Sequence, residues 1–477
     1  MKSSYLFILL FGITFVSLPA QNTFKRAYGG TGDDIGFSVQ QTSDKGYIIV
    51  GATQSYGAGE WDVYLIKTKT NGDTLWTRTY GGVSNDQGYS VRQTSDGGYI
   101  IAGTSEVGSK GAYLLKTDSI GDTIWTRSFG DIGAQQGYCV RQTSDGGFIL
   151  AGISWSAVTS YDAYLIKTSA SGDTLWTKTY GGTSYDVAYS VLQTRDGGYV
   201  FTGGSWSFGD SAYTVYLIKT DAVGKQLWLK TCGGIRFTVG NSIESTSDGG
   251  FIIAGMIDSL GTAQSHQHSY VIKTDSSGDV LWTRIYTASS ADRSLDIEQT
   301  TDNGFIFITW SIGSSGNSSL IKINTLGDVV WTRMYTDITA RSVLQTSDGG
   351  YAIGGYTFPF GFGNAEVYLV KTDGNGIVSS VKDDGNNSIP AEYALHQNYP
   401  NPFNPSTSIS YSIPKQAHVR LQIFNPLGQL IATLVDQDKP PGTYTVIWDA
   451  GTRSSGLYFY RIAAGEFVQT RKALFLK

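Results

Sequence analysis

Four aspartates and three tryptophans have the types and places that could do chemistry. Asp34, Asp86, Asp186 and Asp292 occupy equivalent places on the loops that lead from one repeat unit to the next, where Gln135 and Thr238 stand in other copies. Carboxylates gathered around one opening could bind a cation or a polar ligand, and a pair at suitable spacing could act on a glycosidic bond. The competing role is local, because Asp also caps turns by accepting from nearby backbone N–H groups. Trp61, Trp155 and Trp206 lie in loops of differing sequence, as do Phe358, Phe360 and Phe362. Flat aromatic rings beside polar residues suit sugars and peptides, or they fold down and plug their own loops.

Other chemistry is sparse. His266 and His268 stand two apart, half of a metal site without an evident partner cluster, and read as a surface pair. No G-x-S-x-G nucleophile elbow appears in a strand-to-helix context, and no cofactor is implied. Two basic sets recur: Lys67, Lys116, Lys167, Lys219, Lys273, Lys322 and Lys371, and Arg26, Arg78, Arg127, Lys178, Lys230, Arg284 and Arg333. Seven equivalent bases could ring a polyanion. The plainer expectation is long side chains reaching into water with their stems over apolar surface. The KTDSSGD stretch from Lys273 to Asp279 lacks the spacing of an EF-hand and reads as a hairpin turn.

All these residues hang on one repeat. A TSDGG-like turn places Asp at 44, 96, 145, 196, 248, 302 and 348, separations of 46 to 54 residues. A Trp recurs in step at 76, 125, 176, 228, 282 and 331. Each unit reads as four strands, such as GYSVRQT, GYIIAGT, AYLLKTD and DTIWTRSFG, rich in β-branched and aromatic residues. The unbroken apolar run Tyr99–Ala102 requires burial on both faces. A period near fifty with four strands per unit predicts an all-β, seven-bladed β-propeller. In an up-and-down blade the uniform turns share one face and the variable loops share the other.

Seven marker turns meet only six Trp copies. FKRAYGG from Phe24 matches WTRTYGG from Trp76, while Ser380 stands where the last Trp would be. The N-terminal strand, within residues 23–30, is therefore expected to complete the seventh blade and remove two open edges.

Residues 1–20 read as a secretory signal peptide, with Lys2, an apolar run from Tyr5 to Val16, and Leu18-Pro19-Ala20 before the cut. The run is short for a membrane span. Cys139 and Cys232 fall about two blades apart, too distant in the repeat for a bridge. A net charge of −5 leaves no electrostatic footprint for nucleic acid. The predicted propeller covers 21–382, a Gly/Asn/Ser/Asp-rich linker 383–392, and a small immunoglobulin-like β-sandwich 393–477 with strands near 407–413, 418–424, 428–435, 443–449, 456–463 and 466–476.

That last domain opens with YALHQNYPNPFNPSTSISYSIP (Tyr393–Pro414) and continues through VRLQIFNPLGQLIATLV, GTYTVIWDA, SSGLYFYRI and QTRKALFLK. It resembles the type A C-terminal sorting domains of the type IX secretion system, and also the immunoglobulin-like domain of flagellar hook-capping proteins. Asn398, Tyr399, Pro400, Asn401, Pro402, Phe403, Asn404 and Pro405 carry the likeness. The resemblance implies export by Sec, then recognition of the folded tail by the outer-membrane machinery of a Gram-negative cell. It implies release, or attachment to the cell surface. The preceding repeats resemble propeller-like repeats found before such domains, which bring no activity with them.

Three function classes remain open on the sequence. The chain is a binding module for polysaccharide or another surface polymer, a glycan-active hydrolase or lyase, or a structural surface protein without a small ligand. Enzyme activity is the lesser expectation, since no catalytic set stands out.

Overall fold

A computed structural model of the chain describes residues 22–106, 111–130, 135–156, 158, 160–209, 212–233, 236–258, 267–287, 292–311, 317–336, 338–357, 364–378, 393–395, 398, 401, 403, 405–439, 441–451 and 453–476. Among them every regular element is a β-strand and none is a helix. The chain divides into two compact units at residues 379/380.

The first unit is a propeller-like array of four-stranded antiparallel sheets. Strands Asp34–Gln41, Tyr47–Thr53, Asp62–Thr68 and Thr74–Tyr80 make the first sheet, in chain order. The pattern returns for sheets two to six, whose first strands are Asp86–Gln93, Gln136–Gln142, Asp186–Gln193, Thr238–Ser245 and Asp292–Gln299. A seventh sheet joins Thr339–Gln345, Tyr351–Thr357 and Glu366–Thr372 to the N-terminal strand Phe24–Tyr28. Phe24 lies opposite Lys371 there, as Trp76 lies opposite Lys67 in the first sheet.

Burial explains the composition of each strand. The second and third strands of the first sheet are buried at every residue, so both faces carry apolar side chains and the few polar ones, such as Lys67, are paired. The fourth strand has no buried residue and is partly open to water along its length. First strands of consecutive sheets neighbour one another, and Thr339–Gln345 neighbours Asp34–Gln41.

Adjacent sheets are tied by three recurring contacts. The Tyr80 hydroxyl donates to Gly121 O of the next sheet at 2.5 Å, and Tyr28 donates to Gly72 O at 2.6 Å. Gly121 has φ +86°, and a Cβ there would meet the Trp76 ring at about 2.9 Å, so both backbone and space demand glycine. Arg78 reaches Asp122 of the next sheet at 3.4 Å and lies over its own neighbour Trp76, 5.6 Å from the ring centroid. Glutamines at the ends of the first strands accept from the marker turn of the preceding sheet, as Gln93 does from Ser43 N at 2.8 Å. Between sheets four and five, Arg195 and Ser245 occupy those two places, and a cavity of about 340 Å³ opens beside them.

The expectation that both basic sets reach into water needs correction. Arg78 and Arg127 are partly exposed, but the third-strand lysines are buried. Lys116 is 4% exposed and contacts Asp96 at 2.9 Å, and its ammonium also donates to Thr117 O. All seven copies pair with the marker aspartate of their own sheet, from Lys67–Asp44 to Lys371–Asp348. Strand register causes this, since the third strand lies beside the second, directly under the marker turn. Cys139 and Cys232 are buried free thiols.

The second unit holds a three-stranded sheet of Ala394–Leu395, Ser406–Ile413 and Gly442–Asp449, and a four-stranded sheet of Leu430–Lys439, Ala417–Phe424, Gly456–Ala464 and Phe467–Phe475. Phe403, Ile409, Tyr411, Leu421, Trp448 and Tyr460 belong to its one buried core.

Candidate ligand site

Each first strand carries a bulge near its start, where one residue drops out of the pairing register. In the seven sheets that residue is Phe37, Tyr89, Tyr138, Tyr189, Asn241, Leu295 and Arg341. A bulge re-aims a side chain away from the ladder. Here it brings residues about fifty apart into contact. Phe37 meets Tyr89 at 5.2 Å between ring centroids, Tyr89 meets Tyr138 at 5.8 Å, and Tyr138 meets Tyr189 at 5.2 Å. Asn241 donates to Ser294 O at 2.8 Å. Burial keeps these phenols protonated, with Tyr89 pushed up to about 12 and Tyr138 higher still.

The aromatic arc runs into a cup on the variable-loop side. Tyr185, Tyr189, Trp206, Tyr213 and Phe237, with Val239, Asn241, Met256 and Leu295, line a cavity of about 320 Å³. Tyr213 stacks on Phe237 at 4.8 Å, and Trp206 leans on both at 5.4 and 6.2 Å while staying 48% exposed. Beyond Leu295, Arg341 lies over the rings of Trp310 and Tyr356, at 5.5 and 5.6 Å.

A charged layer lies three residues further along the same strands. Gln40, Arg92, Arg141, Leu192, Glu244, Glu298 and Leu344 occupy equivalent places there. Arg141 of the third sheet pairs with Glu244 of the fifth, past Leu192 of the fourth. Asp296 accepts from Ser242 Oγ at 2.9 Å and from Val343 N at 3.0 Å, and Glu298 accepts from Gln345 N. Water reaches these groups, yet protein surrounds them. Burial therefore raises the Asp296 carboxyl, and it lifts Glu298 to about 7 against the hydrogen bond that favours its ionised form.

The residues singled out from sequence part company here. Trp206 lies in the cup. Trp155 pairs across its hairpin with Tyr161 and is 37% exposed, outside the cavity lining. Trp61 is half-buried, and its carbonyl accepts from Asp86 N at 2.7 Å. Asp34, Asp86 and Asp186 are buried at the first position of their strands and hold the preceding loop: each accepts from a backbone N–H four residues earlier, at Gly30, Gly82 and Gly182. Asp186 also accepts from the hydroxyls of Ser205 and Ser207. Asp292 begins the sixth sheet; its side chain, His266, Phe358, Phe360, Phe362 and the leader 1–20 lie outside the described residues. The first-strand column had escaped sequence reasoning. Its signal is legible afterwards as two varying positions inside an otherwise repetitive strand.

In the tail, Asn398 is buried, its N–H donating to the Tyr460 hydroxyl at 2.7 Å and its Nδ2 to Thr407 Oγ1 at 2.9 Å. Asn401 Oδ1 accepts from Leu474 N at 2.8 Å. Phe403 exchanges backbone bonds with Leu474 and Leu476, both at 3.0 Å, and packs on Trp448 and Phe475. Pro405 O accepts from Ala450 N. Tyr399, Pro400, Pro402 and Asn404 lie outside the described residues. The motif thus fastens the domain entry to its last strand.

Residues 397–476 match the family described as the secretion system C-terminal sorting domain. The chain carries a type IX sorting tail, and its location is the cell surface or the extracellular medium. No curated protein matches the chain. Among solved structures it is similar to PorZ, a bacterial surface component of the type IX secretion system of Porphyromonas gingivalis, at 11% identity and TM-score 0.36, covering 91% of this chain and 69% of that one. It is also similar to the Neurospora crassa Pan2 WD40 domain, at 10% identity, TM-score 0.44 and coverage of 74% and 97%. A Dyadobacter fermentans protein of unknown function gives 10%, 0.43, and 73% and 97%.

Proposed function

We propose that this is a secreted or surface-displayed seven-bladed β-propeller, closed by Phe24–Tyr28, that binds polysaccharide or another surface polymer. Residues 1–20 are then the leader, 21–382 the propeller, 383–392 the linker, and 393–477 an immunoglobulin-like sorting sandwich. The observation that carries the binding reading is the cup of Tyr185, Tyr189, Trp206, Tyr213 and Phe237 around about 320 Å³. Aromatic walls offer sugar rings large apolar contact at small entropic cost. In this reading Trp206 touches the ligand and Asp186 shapes the loop that carries it, while Asp34 and Asp86 hold the corresponding loops of the first two sheets. Trp61 and Trp155 stand on a loop and a strand end of other sheets, outside the cavity lining, and Asp292 begins the sixth sheet.

A panel of soluble polysaccharides titrated against the mature chain by calorimetry tests this. Saturable binding that Trp206→Ala and Tyr189→Ala reduce at least tenfold, with both variants folded, supports it. No binding by any polymer overturns it. Glu298, which titrates near neutrality among other carboxylates, favours one second reading, a glycan-active hydrolase or lyase. New reducing ends released from a bound polymer, and lost in Glu298→Gln, would establish that instead.

A further inference from the structure

We propose that the ligand of this face is an acidic polysaccharide whose sugar carboxylate is read by Arg341. This rests on the glycan reading above and names the class of glycan. Of the seven bulge residues, Arg341 alone is charged. The arc of Phe37, Tyr89, Tyr138 and Tyr189 is aromatic, and Asn241 and Leu295 are neutral. Four of the seven positions therefore offer aromatic surfaces for sugar faces, and one offers a cation at the same level.

Arg341 is poised for a partner outside the chain. Its guanidinium lies over Trp310 at 5.5 Å and Tyr356 at 5.6 Å, contacts that hold the plane without consuming the N–H donors. Its only hydrogen bond among the described residues is a long one, Nη2 to the Tyr356 hydroxyl at 3.5 Å. Nε is shielded from water and has no acceptor. No carboxylate of the described residues forms an ion pair with it, whereas Arg141, one layer deeper, is paired with Glu244. Nη1 and Nη2 are left to meet a partner, and their planar fork is best satisfied by a bidentate carboxylate. A uronate residue supplies that carboxylate and a ring face for the adjoining aromatics.

The test uses the mature full-length chain with tetragalacturonate and with the same oligosaccharide after reduction of its carboxyl groups. Calorimetry should show the uronate bound at least tenfold more tightly than its neutral counterpart. Arg341→Met should remove that preference, lowering affinity for the uronate at least tenfold more than affinity for the neutral sugar. Arg341→Lys, which keeps the charge but loses the fork, should recover only part of it; unchanged thermal unfolding would show both variants folded. Equal affinity for charged and neutral oligosaccharides, or full uronate binding by Arg341→Met, overturns this inference and leaves the glycan reading standing. Binding of neither sugar nor any polymer of the panel overturns both.

Discussion

The backbone N–H of Ser347 donates to Gln41 Oε1 at 2.8 Å, joining residues 306 positions apart. It is the same bond that Ser43 makes to Gln93 between the first two sheets, here made between the seventh sheet and the first. Tyr28 to Gly72 repeats the equivalence at the outer edge.

These contacts predict a matched pair of substitutions. Gln41→Ala should cost about 1 kcal/mol, the net value of one lost hydrogen bond. Ser245→Gln, at the junction lacking the glutamine, should gain a similar amount by restoring an acceptor beside the cavity there. Urea denaturation of both variants measures this; opposite signs are expected, and equal signs would show that the two junctions differ in more than this residue.

The lysine–aspartate pairs predict a larger effect. Asp96→Ala leaves the Lys116 ammonium buried without its counter-charge, at a cost of about 2–4 kcal/mol. Denaturant unfolding would show the loss, and a change below 0.5 kcal/mol would mean that Lys116 finds water instead.

Acid should act through the same pairs. Partial burial pushes the Asp96 carboxyl up, but hydrogen bonds from Thr94, Lys116 and Gly98 N outweigh it and hold it at about 2, with Asp145, Asp196 and Asp248 alike. A lowered folded-state pKa means stability that is complete above the ordinary carboxylate pKa and lost as pH falls from about 4 towards 2. Thermal scans from pH 5 to pH 2 should show a steep fall of Tm in that window, shallower in Asp96→Asn.

Glu298 works in the opposite direction. Its folded pKa of about 7 exceeds the ordinary 4.5, so the folded state holds a proton that the unfolded chain has released. Stability should therefore decline as pH rises from about 4.5 to 7 and stay reduced above. Glu298→Gln, which keeps an acceptor for Gln345 N, should match the parent at pH 5 and exceed it at pH 8. Tm measured at both values decides, and a constant difference would remove Glu298 from the account.

In the tail, Asn398→Ala removes one hydrogen-bond partner of Thr407 Oγ1 inside the core. A loss of about 1–3 kcal/mol is expected for the sorting domain. With it, the cargo should appear less in the medium and surface fractions and more in the periplasm, as immunoblotting of cell fractions would reveal. Normal export of the variant would show that the machinery tolerates a loosened entry segment.

Strands, turns, the fifty-residue unit and the tail motif were legible in the sequence because they are local. Period-two burial, positive-φ glycines and proline-rich entry segments leave their mark on neighbouring residues. The match of FKRAYGG to WTRTYGG was local too, and it pointed to the strand that pairs with Glu366–Thr372. What local pattern could not supply is which residues of different units meet. Lys116 read as a solvated base until register placed it beneath Asp96. Phe37, Tyr89, Tyr138 and Tyr189 touch only because bulges in four separate sheets turn them towards one space. Arg141 finds Glu244 across 103 residues for the same reason. Repetition specified the scaffold through short-range conformational preferences, whereas the site arose where the copies differ and the packing of one sheet on the next brought those differences together.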